Sequence, residues 1–369
     1  MDFRPDEAQQ AIISLAGEIL DANPGAPEKA WADLDRAGLL TLAVPSRLGG
    51  AGLGVLETAL LLTEIGRRAL DVPALPALAL GVLPVARWGT PQQQDELLTD
   101  GRTLTAAIAE PGDPLPTAPR TIADADQRIT GTKTGVTTAD HILVTVGGPA
   151  VMVVDATAPG VTFDGHILRL DQAQGRPLGD HKCHQDLHRY ALAGACALGD
   201  GALAGALALT AEHVRTRHQF GRPLATFQAV AQQIADVYIA SRTLHLAALT
   251  AAWHLDAAEK AGAAEKAGAA EGGAAEGGAG RPAAGGHAEG EVRSLDDLAD
   301  DDLHIAAQWL TAEAPPAVRT CHHLHGGLGL AIDYPLHRHT ALIRDLVRFL
   351  GGSEYRLQTL GERGVHRPE

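Results

Sequence analysis

The chain is 369 residues long with 45% hydrophobic residues, and 45 acidic against 30 basic side chains give a formal charge of −15. That length predicts more than one domain, and the acidic balance excludes a phosphate-tracking groove, so no nucleic acid partner is expected. Three widely spaced cysteines, Cys183, Cys196 and Cys321, form no disulfide framework and point to a reducing cytoplasm.

The first residues, Met1-Asp2-Phe3-Arg4-Pro5-Asp6, lack the basic and apolar regions of a signal peptide, and no later apolar run reads as a membrane span. Ile12, Ile13, Leu15, Ala16, Ile19 and Leu20 then recur at helical spacing, and Pro24-Gly25 interrupts them. A second helix is predicted over 27–39, with Pro27 at its start, where a missing N–H costs nothing. After Val44-Pro45-Ser46-Arg47-Leu48-Gly49-Gly50 an apolar helix is predicted over 55–70. Residues 1–102 therefore read as a helical domain.

Near Arg102 the texture changes to short apolar runs, Leu104–Ala109, His141–Val146 and Ala150–Val154 among them, separated by Gly, Pro and Asp turn signals. Residues 103–186 are expected to form a middle β domain. Helical period returns over 191–217 and 225–255, then over 296–324 and from Tyr334 onward, which makes 187–369 a C-terminal helical domain. Between them, at about 257–292, repeats such as Glu259-Lys260-Ala261-Gly262-Ala263-Ala264 carry almost no large apolar side chain. This Ala/Gly-rich insert is expected to be flexible, either a mobile loop or a frayed helix end.

Arg217-His218-Gln219-Phe220-Gly221, followed by Phe227-Gln228, resembles the R-x-Q-F-G…F-Q signature of the acyl-CoA dehydrogenase flavoproteins. His322-His323-Leu324-His325-Gly326-Gly327-Leu328-Gly329, with Tyr334-Pro335 and Arg344-Asp345 after it, is similar to the family's Q-x-x-G-G-x-G…Y-P…R-D segment, with His323 in place of the usual Gln. Weaker matches fall in the same order: Val44 to Gly50 to V-P-x-x-x-G-G, Ala109-Glu110-Pro111-Gly112 to the start of T-E-P-x-x-G-S-D, and Gly131 to Ala139 to G-x-K-x-W-I-T-N/S-A, with Gly135 in place of Trp. The G-S-D portion of the second motif is lost.

This resemblance implies an α+β fold: an N-terminal helical domain, a middle β domain and a C-terminal four-helix bundle that makes the oligomer interface. It also implies FAD. By carry-over Arg217, Gln219, Phe220 and Gln228 contact a flavin bound largely by a neighbouring subunit, Gly326 and Gly327 approach its ADP part, and Thr137 is a hydrogen-bond candidate near the ring. An arginine fork suits a pyrophosphate, and glycine permits close backbone approach.

The family removes an α-proton from an acyl-CoA thioester with a glutamate, commonly in Y-E-G-T after the R-D pair. Here Leu350-Gly351-Gly352-Ser353 aligns with that string and puts Gly351 in the glutamate's place, while an ungapped count from Arg344 puts Ser353 there. Glu354 is the neighbouring acid. It remains a candidate base, although a solvated residue in a helix first turn is the simpler account. The helix before the signature offers only Asp200.

The chain thus resembles a subunit of the α2β2 steroid acyl-CoA dehydrogenases of actinobacteria. A homologous partner would supply the glutamate, a steroid side-chain CoA ester would be the substrate, and electron-transferring flavoprotein would be the acceptor. A self-sufficient homotetramer with a displaced base and a non-catalytic scaffold subunit remain as rivals. The histidine-rich stretches 181–188 and 321–325 lack zinc-site spacing, so no metal is expected and these histidines are predicted at the surface.

Overall fold

The computed structural model describes residues 4–272 and 293–365. At the N-terminal end α1 (Glu7–Asp21), α2 (Pro27–Arg36) and α3 (Val55–Arg67) pack together, followed by a π-helical stretch, Leu75–Val82, that runs into α4 (Leu83–Trp88), and by α5 (Pro91–Leu97). Helix starts are specified locally. Asp6 caps α1 and accepts from the Gln9 N–H while the Gln9 side chain reaches back, and Thr90 and Gln93 repeat this box on α5.

Seven strands follow: β1 (Leu104–Ala107), β2 (Ile122–Ala123), β3 (Arg128–Thr134), β4 (His141–Val146), β5 (Ala150–Asp155), β6 (Val161–Asp164) and β7 (Ile167–Pro177). They form one sheet in the order β1-β4-β5-β7-β3-β2, with β6 also on β7 and only the β1–β4 pair parallel. β7 holds the halves together, because its end at 175–177 pairs β5 while its earlier residues pair β3 and β6. Ile129, Ile142, Val144, Met152, Val154, Leu168 and Ala173 build a core of their own between the strands.

The remaining chain is helical: α6 (His181–Thr216), a two-strand hairpin of β8 (His218–Gln219) and β9 (Arg222–Pro223), α7 (Gln228–Gly272), α8 (Leu295–His325), α9 (Leu336–Phe349) and α10 (Gly352–Val365). The architecture is the expected helix, β, helix order. α6 is long and apolar enough by composition to cross a membrane, which the pattern of the sequence did not suggest. However, 78% of its most apolar window is buried inside the protein, so its apolarity serves the core. It lies against α3 at backbone distance: a Cβ on Gly201 would come 2.0 Å from the Thr63 carbonyl, and one on Gly66 2.2 Å from that of Leu198.

Within the Ala/Gly-rich insert α7 continues to Gly272, which is the helix end rather than the loop of the two forms expected there; Ala, Glu and Lys are strong helix formers. Residues 273–292 of that insert lie outside the described residues. The histidines are at the surface only in part: His181 and His323 are exposed, whereas His184 and His325 are 4% and 5% exposed. Burial lowers the pKa of His188 to about 3, and the neighbouring His184, Lys133, Arg356 and His304 add to the shift. Among the described residues no three His, Cys, Asp or Glu side chains converge to hold a metal ion.

Candidate functional site

The hairpin between α6 and α7 turns on Phe220 and Gly221, both at positive φ (52° and 78°), the geometry that matches the twist of a two-residue hairpin. For glycine this costs nothing. For a phenylalanine it is a strained conformation, which Ala69, Asp100, Gln127 and Gln172 also adopt elsewhere in the chain. The ring is also 91% exposed, with only an edge contact to Phe227 at 6.2 Å and no place in the core. Arg217, the C-cap residue of α6, and Gln219 and Gln228 are exposed beside it.

The glycine turn lies at the same end of the bundle. His213, whose carbonyl accepts the Arg217 N–H, stacks on His325 with ring centroids 4.4 Å apart, and His325 bonds the Tyr334 hydroxyl at 3.0 Å. Gly326 follows at φ 58° and ψ −137°, a conformation reserved for glycine, and a Cβ on Gly326 or Gly327 would meet nothing within 4 Å. Leu330 and Ile332 beyond them are 81% and 85% exposed. The structure therefore brings together Arg217, Gln219, Phe220, Gln228, Gly326 and Gly327 on one open surface. Thr137, half-buried in the loop after β3, is not part of it.

The opposite condition holds where the chain's own flavin and thioester would be expected. Glu110 of the E-P-G string and Lys133 of the G-x-K string form a buried ion pair of 3.0 Å, with side chains 2% and 0% exposed. Glu110 also accepts from the N–H groups of Arg120 and Thr121 and from the Thr121 hydroxyl, and Lys133 also donates to Thr145 and to the Ile108 carbonyl. Burial would raise the Glu110 pKa, but these donors outweigh it and hold it at about 2; burial lowers Lys133 to about 8 against the pull of Glu110. A carboxylate so fixed is a structural anion, not a proton acceptor.

Gly351, at φ 86°, is exposed, but the direction a side chain would take is blocked: a Cβ there would stand 2.7 Å from Pro114 Cγ and 2.7 Å from the Tyr355 ring. The Tyr355 hydroxyl donates to the Leu115 carbonyl (3.3 Å) and to Asp113 Oδ1 (3.2 Å), tying the loop after Glu110 onto α10. Arg356, only 2% exposed, lies under that ring at 4.5 Å. Glu354 is exposed on the first turn of α10.

Sequence reasoning did not identify Tyr355 or Arg356, because neither belongs to a motif. The Glu110–Lys133 pair was within reach, since both residues lie in strings already singled out.

Residues 6–101 match the family model of the acyl-CoA dehydrogenase N-terminal domain, and residues 186–271 match that of the acyl-CoA dehydrogenase C-terminal domain. The chain is 39% identical to acyl-CoA dehydrogenase FadE28 of Mycobacterium tuberculosis over 98% of its own length and 99% of that protein's. Among solved structures it is similar to the ChsE4-ChsE5 complex of Mycobacterium tuberculosis, with a TM-score of 0.81 and 28% identity over 100% of both chains. It is also similar to a variant of the Tcur3481-Tcur3483 steroid ACAD, with a TM-score of 0.75 and 30% identity over 96% of this chain and 97% of that one.

Proposed function

This chain belongs to the acyl-CoA dehydrogenase family, and on that premise we propose that it is one of two unlike subunits of a heteromeric enzyme, sharing FAD with a homologous partner that supplies the catalytic glutamate. The observation that carries this reading is the blocked glycine at position 351. Neither Gly351 nor Ser353, the two positions that align with the glutamate, carries a carboxylate, and a Cβ on Gly351 would stand 2.7 Å from both Pro114 and the Tyr355 ring. The reading is supported by two similar structures that are named as paired chains, ChsE4-ChsE5 and Tcur3481-Tcur3483.

The cofactor is FAD, which when bound takes the hydride that leaves the β-carbon of the thioester. This chain's part is to bind and orient. Arg217 would present a guanidinium to the pyrophosphate, Phe220 would offer a ring to the adenine, and Gly326 and Gly327 would leave room for the nucleotide backbone. The open surface fits such a role, because its strained aromatic residue and bare glycines gain nothing from this chain alone. A steroid side-chain CoA ester is the proposed substrate, because one of the similar structures is of a steroid ACAD, with electron-transferring flavoprotein as the proposed acceptor. Glu354 as the base of a self-sufficient enzyme is disfavoured by its exposure on α10.

Substitution separates the readings. Glu354→Gln should leave turnover of the assembled complex near wild type, while removing the partner's glutamate should cost about 10²–10⁴-fold, the usual contribution of a general base. A comparable drop for Glu354→Gln with flavin retained would place the base in this chain and sink the proposal.

A further inference from the structure

A cavity of about 360 Å³ that shares no lining residue with either region described above lies where α4, α6 and the distal part of α7 meet the turn before α3. Its apolar wall is Pro45, Leu53, Leu83 and Ala86, and its polar wall is Arg87, Tyr190, Asp256, Glu259 and Lys260. The volume falls within the range that small ligands occupy, and a mostly apolar lining with a few convergent polar groups is the usual composition of a binding pocket.

The polar groups are not equivalent. Asp256 and Lys260 neutralise each other at 2.6 Å, and the turn at Gly54 sits so close that a Cβ there would stand 2.1 Å from Asp256 Oδ1. Tyr190, 0% exposed, donates its hydroxyl to Glu259. Arg87 donates only to the Glu259 carbonyl, at 3.3 Å, and no ion pair with a carboxylate forms around it among the described residues. Burial raises Glu259 to about 7, against the opposing effects of Tyr190 and Arg87 and with Asp186 and Asp256 adding to the rise. Once Glu259 is neutral, the Arg87 guanidinium, with Asp186 near enough to act on it through charge but no carboxylate bonded to it among the described residues, stands beside a carboxyl proton that can be donated.

We propose that this cavity binds a small amphipathic carboxylate, its apolar body against Leu53, Leu83 and Ala86 and its carboxylate on Arg87 and Glu259. An unpaired guanidinium at an apolar wall selects an anion with a hydrophobic tail over a neutral or cationic molecule of the same size. Binding takes up a proton at Glu259, because two facing carboxylates are stable only when they share one. Tyr190 is a positioning residue that fixes the Glu259 rotamer.

The test is titration of the full-length protein, in its native assembly, with decanoate by calorimetry at about pH 6 and about pH 8, either side of the Glu259 transition. Saturable binding that weakens at the higher pH is expected. Arg87→Met should weaken it by about tenfold or more, Glu259→Gln should retain binding and abolish the pH dependence, and Ala86→Trp should block it by filling the space. Decylammonium should not compete. Absence of saturable decanoate binding, equal binding of decylammonium, or full affinity in Arg87→Met and Ala86→Trp would overturn the proposal. The unfolding midpoint of each variant shows that it is folded, and Ala86→Trp alone decides the matter if Arg87→Met is not.

Discussion

The two regions that a flavin enzyme of this family depends on have gone opposite ways in this chain. At the hairpin and glycine turn, side chains are exposed and the backbone is held in conformations that make no local contact worth the strain, Phe220 above all. At Gly351 the direction a side chain would take is occupied by Pro114 and Tyr355, with Tyr355 hydrogen-bonded across to Asp113 and Leu115. A surface that another molecule completes retains its unsatisfied features, because filling them in would exclude that molecule.

Substitutions can break this contrast. The largest expected effect is at the closed region, where Lys133→Met leaves the Glu110 carboxylate buried without its cation and should cost about 3–5 kcal/mol in denaturant unfolding. The Glu110→Gln, Lys133→Met double variant should recover most of that, and an equal loss in both would show that the pair itself is not what matters. Next is Gly351→Glu, which returns a carboxylate to the aligned position. It should add no turnover and should cost about 1–3 kcal/mol, from the strained φ of 86° and the contact with Pro114. A gain in dehydrogenation would mean that Pro114 and Tyr355 give way in solution. The smallest effect is at the open region: Arg217→Ala should leave the unfolding midpoint in place while lowering the flavin-to-protein ratio after gel filtration, by about tenfold in affinity. A shifted midpoint with unchanged flavin would identify the arginine as part of the fold.

Much of this is legible in the sequence alone, and for identifiable reasons. Hydrophobic period separates the helices from the strands, so Ile12, Ala16 and Leu20 on α1 and Ile142 and Val144 on β4 fall in cores as their spacing predicts. The hairpin and glycine turn are legible because function there resides in a contiguous string of residues. The region at Gly351 is not, since Asp113 and Leu115 lie far in sequence from Gly351 and Tyr355 and meet them only through packing. Glu259 escapes notice for another reason. It sits in a repetitive, polar-looking stretch, and nothing local marks it as facing the fully buried Tyr190.

α6 joins these regions, and its dimensions set how they can err. At 36 residues it is about 54 Å long, from the buried histidines near its start to Arg217 at its tip. A tilt of one degree about its base would carry the tip through about 1 Å, given that length. The glycines that let α6 rest on the α3 backbone therefore act as a bearing with almost no play. Whatever docks at the tip is aimed from the far end of the molecule.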